Sequence, residues 1–233
     1  MPKTRLELTK EEEIRYISHL DYARTLERTI RRANLPVAYS EGFNPHMKIS
    51  FASALAVGVT SSAEYLDIEW KEPVDSTTVI ACLTQCLPTG IQIRRAKEAT
   101  EKSPALMAVV NLATYKLLVT LPSVAMLDKA YESTERFNRT EHIHFVKETP
   151  KGKKEVLIKD FLLQDLKLSN NGNEVIIEAA IKITPTGSIK PGDVFSVLVD
   201  QFSFPAGKEA ALIHRTGLYI AGQDQVITPL ELS

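Results

Sequence analysis

The sequence predicts an α+β protein built as two tandem ferredoxin-like (β-α-β-β-α-β) units, and three observations lead there. Segments that alternate apolar and polar residues, and segments whose apolar residues recur every three or four positions, succeed one another as strand, helix, strand, strand, helix, strand, and then do so again. A length of 233 residues accommodates two domains, each of about 100 residues. Hydrophobic content of 44% and charged content of 24% are those of a folded chain, and 12 scattered prolines fit many short elements.

The first unit is assigned to residues 1–100. Arg5 to Thr9 alternates and reads as a strand, with an extension toward Ile17 past the acidic turn Glu11-Glu12-Glu13. Ser18 is a helix N-cap with Asp21 three residues on, and Leu20, Ala23, Leu26, Ile30 and Ala33 form the stripe expected to face the core. Pro36 forbids continuation. Val37 to Tyr39 then reads as a short strand, a loop runs to Lys48, and Ile49 to Phe51 and Tyr65 to Trp70 are further strands. Asp75 or Ser76 caps a second helix through Cys86, which Pro88 and Gly90 end, and Ile91 to Ile93 closes the cycle. The polar stretch Lys97 to Pro104 marks the boundary, with Ala105 to Leu112 able to form a linking helix.

The second unit is assigned to residues 101–233. Thr114 to Leu121 reads as strand, Val124 to Phe137 as helix, and Ile143 to Val146 as strand before a basic turn at Pro150 to Lys154. Strands from Phe161 to Leu168 and from Glu174 to Ile183 flank Asn170-Asn171-Gly172-Asn173, a hairpin signal because Asn and Gly tolerate positive φ. Pro191 at a first helical turn, with Val194, Leu198 and Val199, gives a last helix, and Ala211 to Ile220 a last strand.

A net charge of −1 excludes nucleic-acid binding by bulk basicity and leaves room for a local basic stripe. The start of the chain has no apolar signal region, and no window reaches the roughly 18 apolar residues of a membrane span. The expectation is a cytoplasmic protein. Cys82 and Cys86, the two cysteines, read as free thiols on one helix face with a buried apolar role.

No phosphate-cradling Gly-rich loop, GxSxG elbow or HExxH helix is present, which disfavours the common cofactor enzymes. His142 and His144 share a strand face but have no third ligand at a compelling spacing, so neither metal nor cofactor is expected. On the first helix, at about 100° per residue, Arg24, Arg28, Arg31 and Arg32 fall within an arc of about 100° roughly opposite the apolar stripe. Arginine grips phosphate through a planar fork, so this face suits RNA or an acidic partner; the competing reading is a solvated face salt-bridged to Asp21 and Glu27.

His19 points along the apolar stripe, either as a structural histidine or as part of a site with the loop Glu41-Gly42-Phe43-Asn44-Pro45-His46-Met47-Lys48. That loop is the best candidate site, richer in special residues than a connection between strands needs. Within it His46 has the chemistry of a general base and Lys48 that of an anion anchor, although no nucleophile or carboxylate pair is fixed beside them. Lys151, Lys153 and Lys154 read as a solubilising tip, and His214-Arg215-Thr216-Gly217 offers a weaker pattern still.

Arg-Tyr-Ile-Ser-His-Leu-Asp at 15–21 and the run from Leu35 to Phe51, followed by Ala54 to Val59 and Glu64 to Ile68, resemble the bacterial radical-SAM-associated (radical-SAM-linked) domain family of unknown function. The first seventy residues carry most of the resemblance, which reaches Arg215 to Tyr219 more loosely. It implies the stand-alone accessory form and, as partner, a cobalamin-binding radical SAM protein. With two cysteines this chain lacks the CxxxCxxC cluster motif, so radical chemistry belongs to the partner. The expected function is an accessory subunit, more fittingly non-catalytic, that binds tRNA or rRNA and presents it to that partner. An RNase-like phosphodiesterase using His19 and His46, or a scaffold without a ligand, are the alternatives. Tandem ferredoxin-like units with an early helix histidine also look like the CRISPR-repeat RNA endonucleases of the repeat-associated mysterious protein superfamily, which favours RNA modestly.

Overall fold

A computed structural model describes residues 1–100, 103–149, 152–185, 187–223 and 225–232. The principal elements in chain order are β1 (Lys3–Lys10), α1 (His19–Arg32), β2 (Ile49–Phe51), β3 (Val59–Glu69), α2 (Ser76–Thr84), β4 (Ile93–Ala99), α3 (Leu106–Val109) and β5 (Leu112–Thr120). Then come α4 (Leu127–Arg139), β6 (His144–Thr149), β7 (Gly152–Leu157), α5 (Ile158–Phe161), β8 (Lys167–Asn171), β9 (Glu174–Lys182), α6 (Pro191–Phe202), β10 (Leu212–Ala221) and β11 (Val226–Ile227). The class is α+β.

The chain forms two compact units, Met1–Asn111 with Arg215–Ser233, and Leu112–His214. The cut expected after residue 100 therefore falls differently, because most of β10 returns to pair with β3 in the first unit. Sheet hydrogen bonding overrides sequence order there.

In the first unit the sheet order is β4-β1-β3-β10, with β2 also on β3 and β11 on β10. β1 is central and antiparallel to both β3 and β4. Its period-two alternation sorts Leu6, Leu8 and Lys10 onto one face and Arg5, Glu7 and Thr9 onto the other. Leu6 and Leu8 join Leu66 and Ile68 of β3, with Trp70 just past its end, in the core against Tyr22, Leu26 and Ile30 of α1. Arg5 lies across from Asp67 in the strand register and grips its two oxygens at 2.7 and 2.9 Å, while its Nη1 donates to the Pro229 carbonyl at 2.8 Å. Strand β1 is thus buried on both faces, one of them by a charged pair.

Ser18 starts α1 as expected, its hydroxyl accepting from the Asp21 N–H at 3.1 Å, and the helix ends at Arg32, ahead of Pro36. The buried stripe is Tyr22, Leu26, Thr29 and Ile30. Leu20, expected in it, is 57% exposed, because it lies about 100° round the helix from His19. Val37 and Tyr39 make isolated bridges to Trp70 and Met47 instead of a strand. The closing strand runs later than expected, over Ile93–Ala99, and the linking helix is the single turn α3.

In the second unit β5, β9 and β8 form an antiparallel sheet, β8 and β9 being joined through Gly172 at φ +60°. The strand expected from Phe161 to Leu168 is mostly absent. Ile158–Phe161 is a single helical turn, Leu162 makes only an isolated bridge to Ile181, and the ladder begins at Lys167. Strands β6 and β7 form a two-stranded sheet of their own, so the expected β-α-β-β-α-β cycle is not the order in which this unit pairs. Pro150 and Lys151 of the basic turn lie outside the described residues. Among the described residues no helix is long and apolar enough to cross a membrane.

Candidate functional site

Two groups of polar residues meet on α1, one on its outer face and one beneath its first turn. On the outer face Arg24, Arg28, Arg31 and Arg32 are all exposed. Arg24 lies 3.7 Å from Asp21, with both side chains 57% exposed, so this ion pair is weak and screened. Among the described residues no ion pair engages Arg28, Arg31 or Arg32. Basic residues in the last turn also sit favourably against the helix dipole.

The loop before β2 is a closed tip. The Ser40 N–H donates to the His46 carbonyl at 2.8 Å, the His46 N–H to the Ser40 hydroxyl at 3.0 Å, and the Lys48 N–H to the Ala38 carbonyl at 2.8 Å. Gly42 takes φ +117°, a conformation that side-chain-bearing residues rarely adopt, and presents Phe43 with its ring wholly in solvent. Glu41, Asn44 and His46 are exposed as well, whereas Lys48 is half-buried with its ammonium 3.7 Å from Glu69.

Beneath the first turn of α1 lies a group whose members His19 and Arg215 the sequence offered separately and whose Lys10 and Glu64 it did not offer as site residues. Lys10, at the end of the core-facing side of β1, is 1% exposed, and Glu64, on the corresponding face of β3, is 2% exposed. Lys10 Nζ donates to the carbonyls of Arg15 at 2.9 Å and Ile17 at 3.1 Å. Arg215 arrives from β10 and places Nη1 3.0 and 3.2 Å from the two Glu64 oxygens, while Nη2 donates to the Ala54 carbonyl at 3.0 Å. Arg15, 5% exposed, meets Glu12 at 2.6 Å. The Tyr22 hydroxyl donates to the Thr9 carbonyl at 2.9 Å.

His19 closes this group from the helix. Its ring stands edge-on to Phe51 with centroids 5.0 Å apart, and its buried Nδ1 has no hydrogen-bond partner among the described residues. Burial pushes its pKa below the ordinary 6.5, with Glu64 pulling it up and Arg215 and Lys10 pushing it down. Burial likewise lowers Lys10, against the pull of Glu64. A narrow hollow is lined by Lys10, His19, Tyr22, Leu55 and Glu64.

His46 is not part of that lining, and no hydrogen bond, ion pair or ring contact among the described residues joins it to His19. The structure thus gathers His19 with residues of β1, β3 and β10, and leaves Arg24, Arg28, Arg31, Arg32 and the Phe43 tip as exposed features. On β6, His144 Nδ1 lies 2.9 Å from Glu155. Cys82 and Cys86 are free and half-buried rather than buried, and Cys86 lies past the end of α2 at Thr84 instead of sharing a helix face with Cys82. One sequence signal pointed to the buried group: the alternations Leu6-x-Leu8-x-Lys10 and Glu64-x-Leu66-x-Ile68 carry a charge onto the core face of each strand.

Residues 3–191 match the family described as "Uncharacterized protein conserved in bacteria (DUF2344)". No curated protein matches the chain. Among solved structures the chain is similar to a Cbf5-Nop10-Gar1 complex, at 10% identity and TM-score 0.45 over 97% of this chain and 52% of that one. It is also similar to the archaeal box H/ACA sRNP Nop10-Cbf5 complex, at 11% identity and TM-score 0.45 over 91% of this chain and 46% of that one. A third likeness is to an H/ACA RNP bound to a substrate RNA containing 2'-deoxyuridine, at 10% identity and TM-score 0.44 over 91% and 46% of the respective chains. The chain spans about half the length of these structures' chains.

Proposed function

We propose that this chain, which belongs to the family of uncharacterized proteins conserved in bacteria, is an RNA-binding accessory protein that grips the RNA backbone with the outer face of α1 and stacks an unpaired base on Phe43. The observation that carries this reading is the exposed row Arg24, Arg28, Arg31 and Arg32, in which only Arg24 has an acidic partner among the described residues. In a chain of net charge −1 such a row is a local excess of cation, and guanidinium groups bind phosphate bidentately. A fully exposed aromatic side chain costs hydration in isolation and gains most by covering a base.

In the finer form of the proposal the first unit is ferredoxin-like, the bound RNA is a tRNA or rRNA, and the chain presents it in the cytoplasm to a cobalamin-binding radical SAM protein. The resemblance of residues 15–59 to radical-SAM-associated domains supports that partner. The test is retention of small RNA by the purified chain, with Arg28→Ala/Arg32→Ala as the comparison. Retention by the parent and loss in a variant of unchanged thermal stability supports the reading; equal retention by both contradicts it.

A further inference from the structure

The group beneath the first turn of α1 is out of charge balance. Lys10, Arg15 and Arg215 are 1%, 5% and 3% exposed, and the one carboxylate buried with them is Glu64, at 2%. Arg215 already holds both oxygens of Glu64, and the Glu12 carboxylate that meets Arg15 is 71% exposed. The Lys10 ammonium is held by two neutral carbonyls. Buried charge is retained in proteins when it is paired, and here the cations outnumber the buried anion.

Donor capacity is also left over. An ammonium has three N–H groups, and two are used at Lys10. Arg15 Nε and His19 Nδ1 are buried and without a hydrogen-bond partner among the described residues, the latter a donor in the tautomer that carries its proton on Nδ1. Such groups are costly unless something meets them.

We propose that this cluster is a phosphate-binding site, in which Lys10, Arg15 and His19 each give one N–H to the oxygens of a phosphate group. Three donors suit the three terminal oxygens of a phosphate better than the two of a carboxylate. The hollow between Lys10, His19 and Glu64 is closed, without room for a water molecule, so a phosphate enters only if Leu55 moves, and Leu55 lines it from a segment whose Ala54, Ala56 and Val57 are exposed. That segment is tied down by the cluster itself, through Arg215 to the Ala54 carbonyl at 3.0 Å and the Gly58 N–H to the Arg15 carbonyl at 3.1 Å. Phosphate entry then loosens those ties and displaces Leu55. The site is separate from the arginine face and stands whether or not that face binds RNA.

The phosphate can be a free one or the terminal phosphate of a nucleic acid, and the experiment separates the two. Inorganic phosphate is titrated into the full chain calorimetrically, against chloride at matched ionic strength, for the parent and for Lys10→Met and His19→Phe. Both substitutions keep shape, and circular dichroism checks folding; His19, half-buried, is the variant that remains if Lys10→Met does not fold. Saturable phosphate binding, weakened about tenfold or more in either folded variant, is the expected result. Phosphate heats no different from chloride, or unchanged affinity in the folded variants, overturn the site. In a second arm a short RNA carrying a 5′-phosphate is compared with its 5′-hydroxyl form in the Arg28→Ala/Arg32→Ala background. Preference for the phosphorylated end assigns the site to nucleic-acid termini, and equal binding assigns it to free phosphate.

Discussion

Arg215 and Glu64 stand 151 positions apart in the sequence and meet inside the first unit, with one guanidinium nitrogen 3.0 and 3.2 Å from the two carboxylate oxygens. The pair ties the returning strand β10 to β3, and both side chains are almost wholly removed from water. Removing one partner leaves the other charged and buried. Glu64→Gln is therefore expected to cost about 3–5 kcal/mol in denaturant unfolding, with a smaller loss in the double variant Glu64→Gln/Arg215→Met. A double-variant loss equal to the sum of the Glu64→Gln and Arg215→Met losses would mean that the two groups are not coupled.

The pH dependence of stability should carry a signature of His19. Its folded-state pKa lies below the ordinary 6.5, chiefly through burial. As pH falls through 6.5 the unfolded chain takes up a proton that the folded chain refuses, so stability declines until the folded pKa is passed. In His19→Gln this component disappears, and the loss of stability between neutral and mildly acidic pH becomes shallower. Parallel pH profiles for the parent and the variant would refute it.

Phe43 offers a probe that does not touch the fold. Its side chain is fully exposed at the tip held by Gly42, so Phe43→Ala should leave the thermal midpoint unchanged. If the ring stacks a base, the same change weakens binding to single-stranded RNA by about 1–3 kcal/mol, read by fluorescence anisotropy. Undiminished binding would remove the tip from the interface.

Several elements were legible because their signals are local. Ser18, Asp21 and Pro36 bound α1, Asp75 caps α2 through the Thr78 N–H at 3.1 Å, and Asn171-Gly172 announces the turn between β8 and β9. The arginine face was legible for the same reason, since helical period alone places it. What escaped depends on pairing between distant strands. Nothing near Arg215 says that it will cross to Glu64, and the burial of Lys10 exists only once β3 and α1 cover it. The strand expected at Phe161 to Leu168 failed because Leu162 and Leu166 are buried from an irregular segment after a helical turn, with Leu162 alone bridging to Ile181 before the ladder starts at Lys167.

The most direct measurement of the RNA-binding claim is the salt dependence of affinity for a single-stranded RNA, comparing the parent with Arg28→Ala/Arg32→Ala. Each phosphate neutralised on a single strand contributes about −0.7 to the slope of log affinity against log salt concentration. The parent is expected to bind with a steep slope, and the double variant to bind more weakly with a slope shallower by about 1.4, two such contacts having been removed. Parent binding that is absent, insensitive to salt, or identical in slope to the variant's would contradict the assignment of this helix face to RNA.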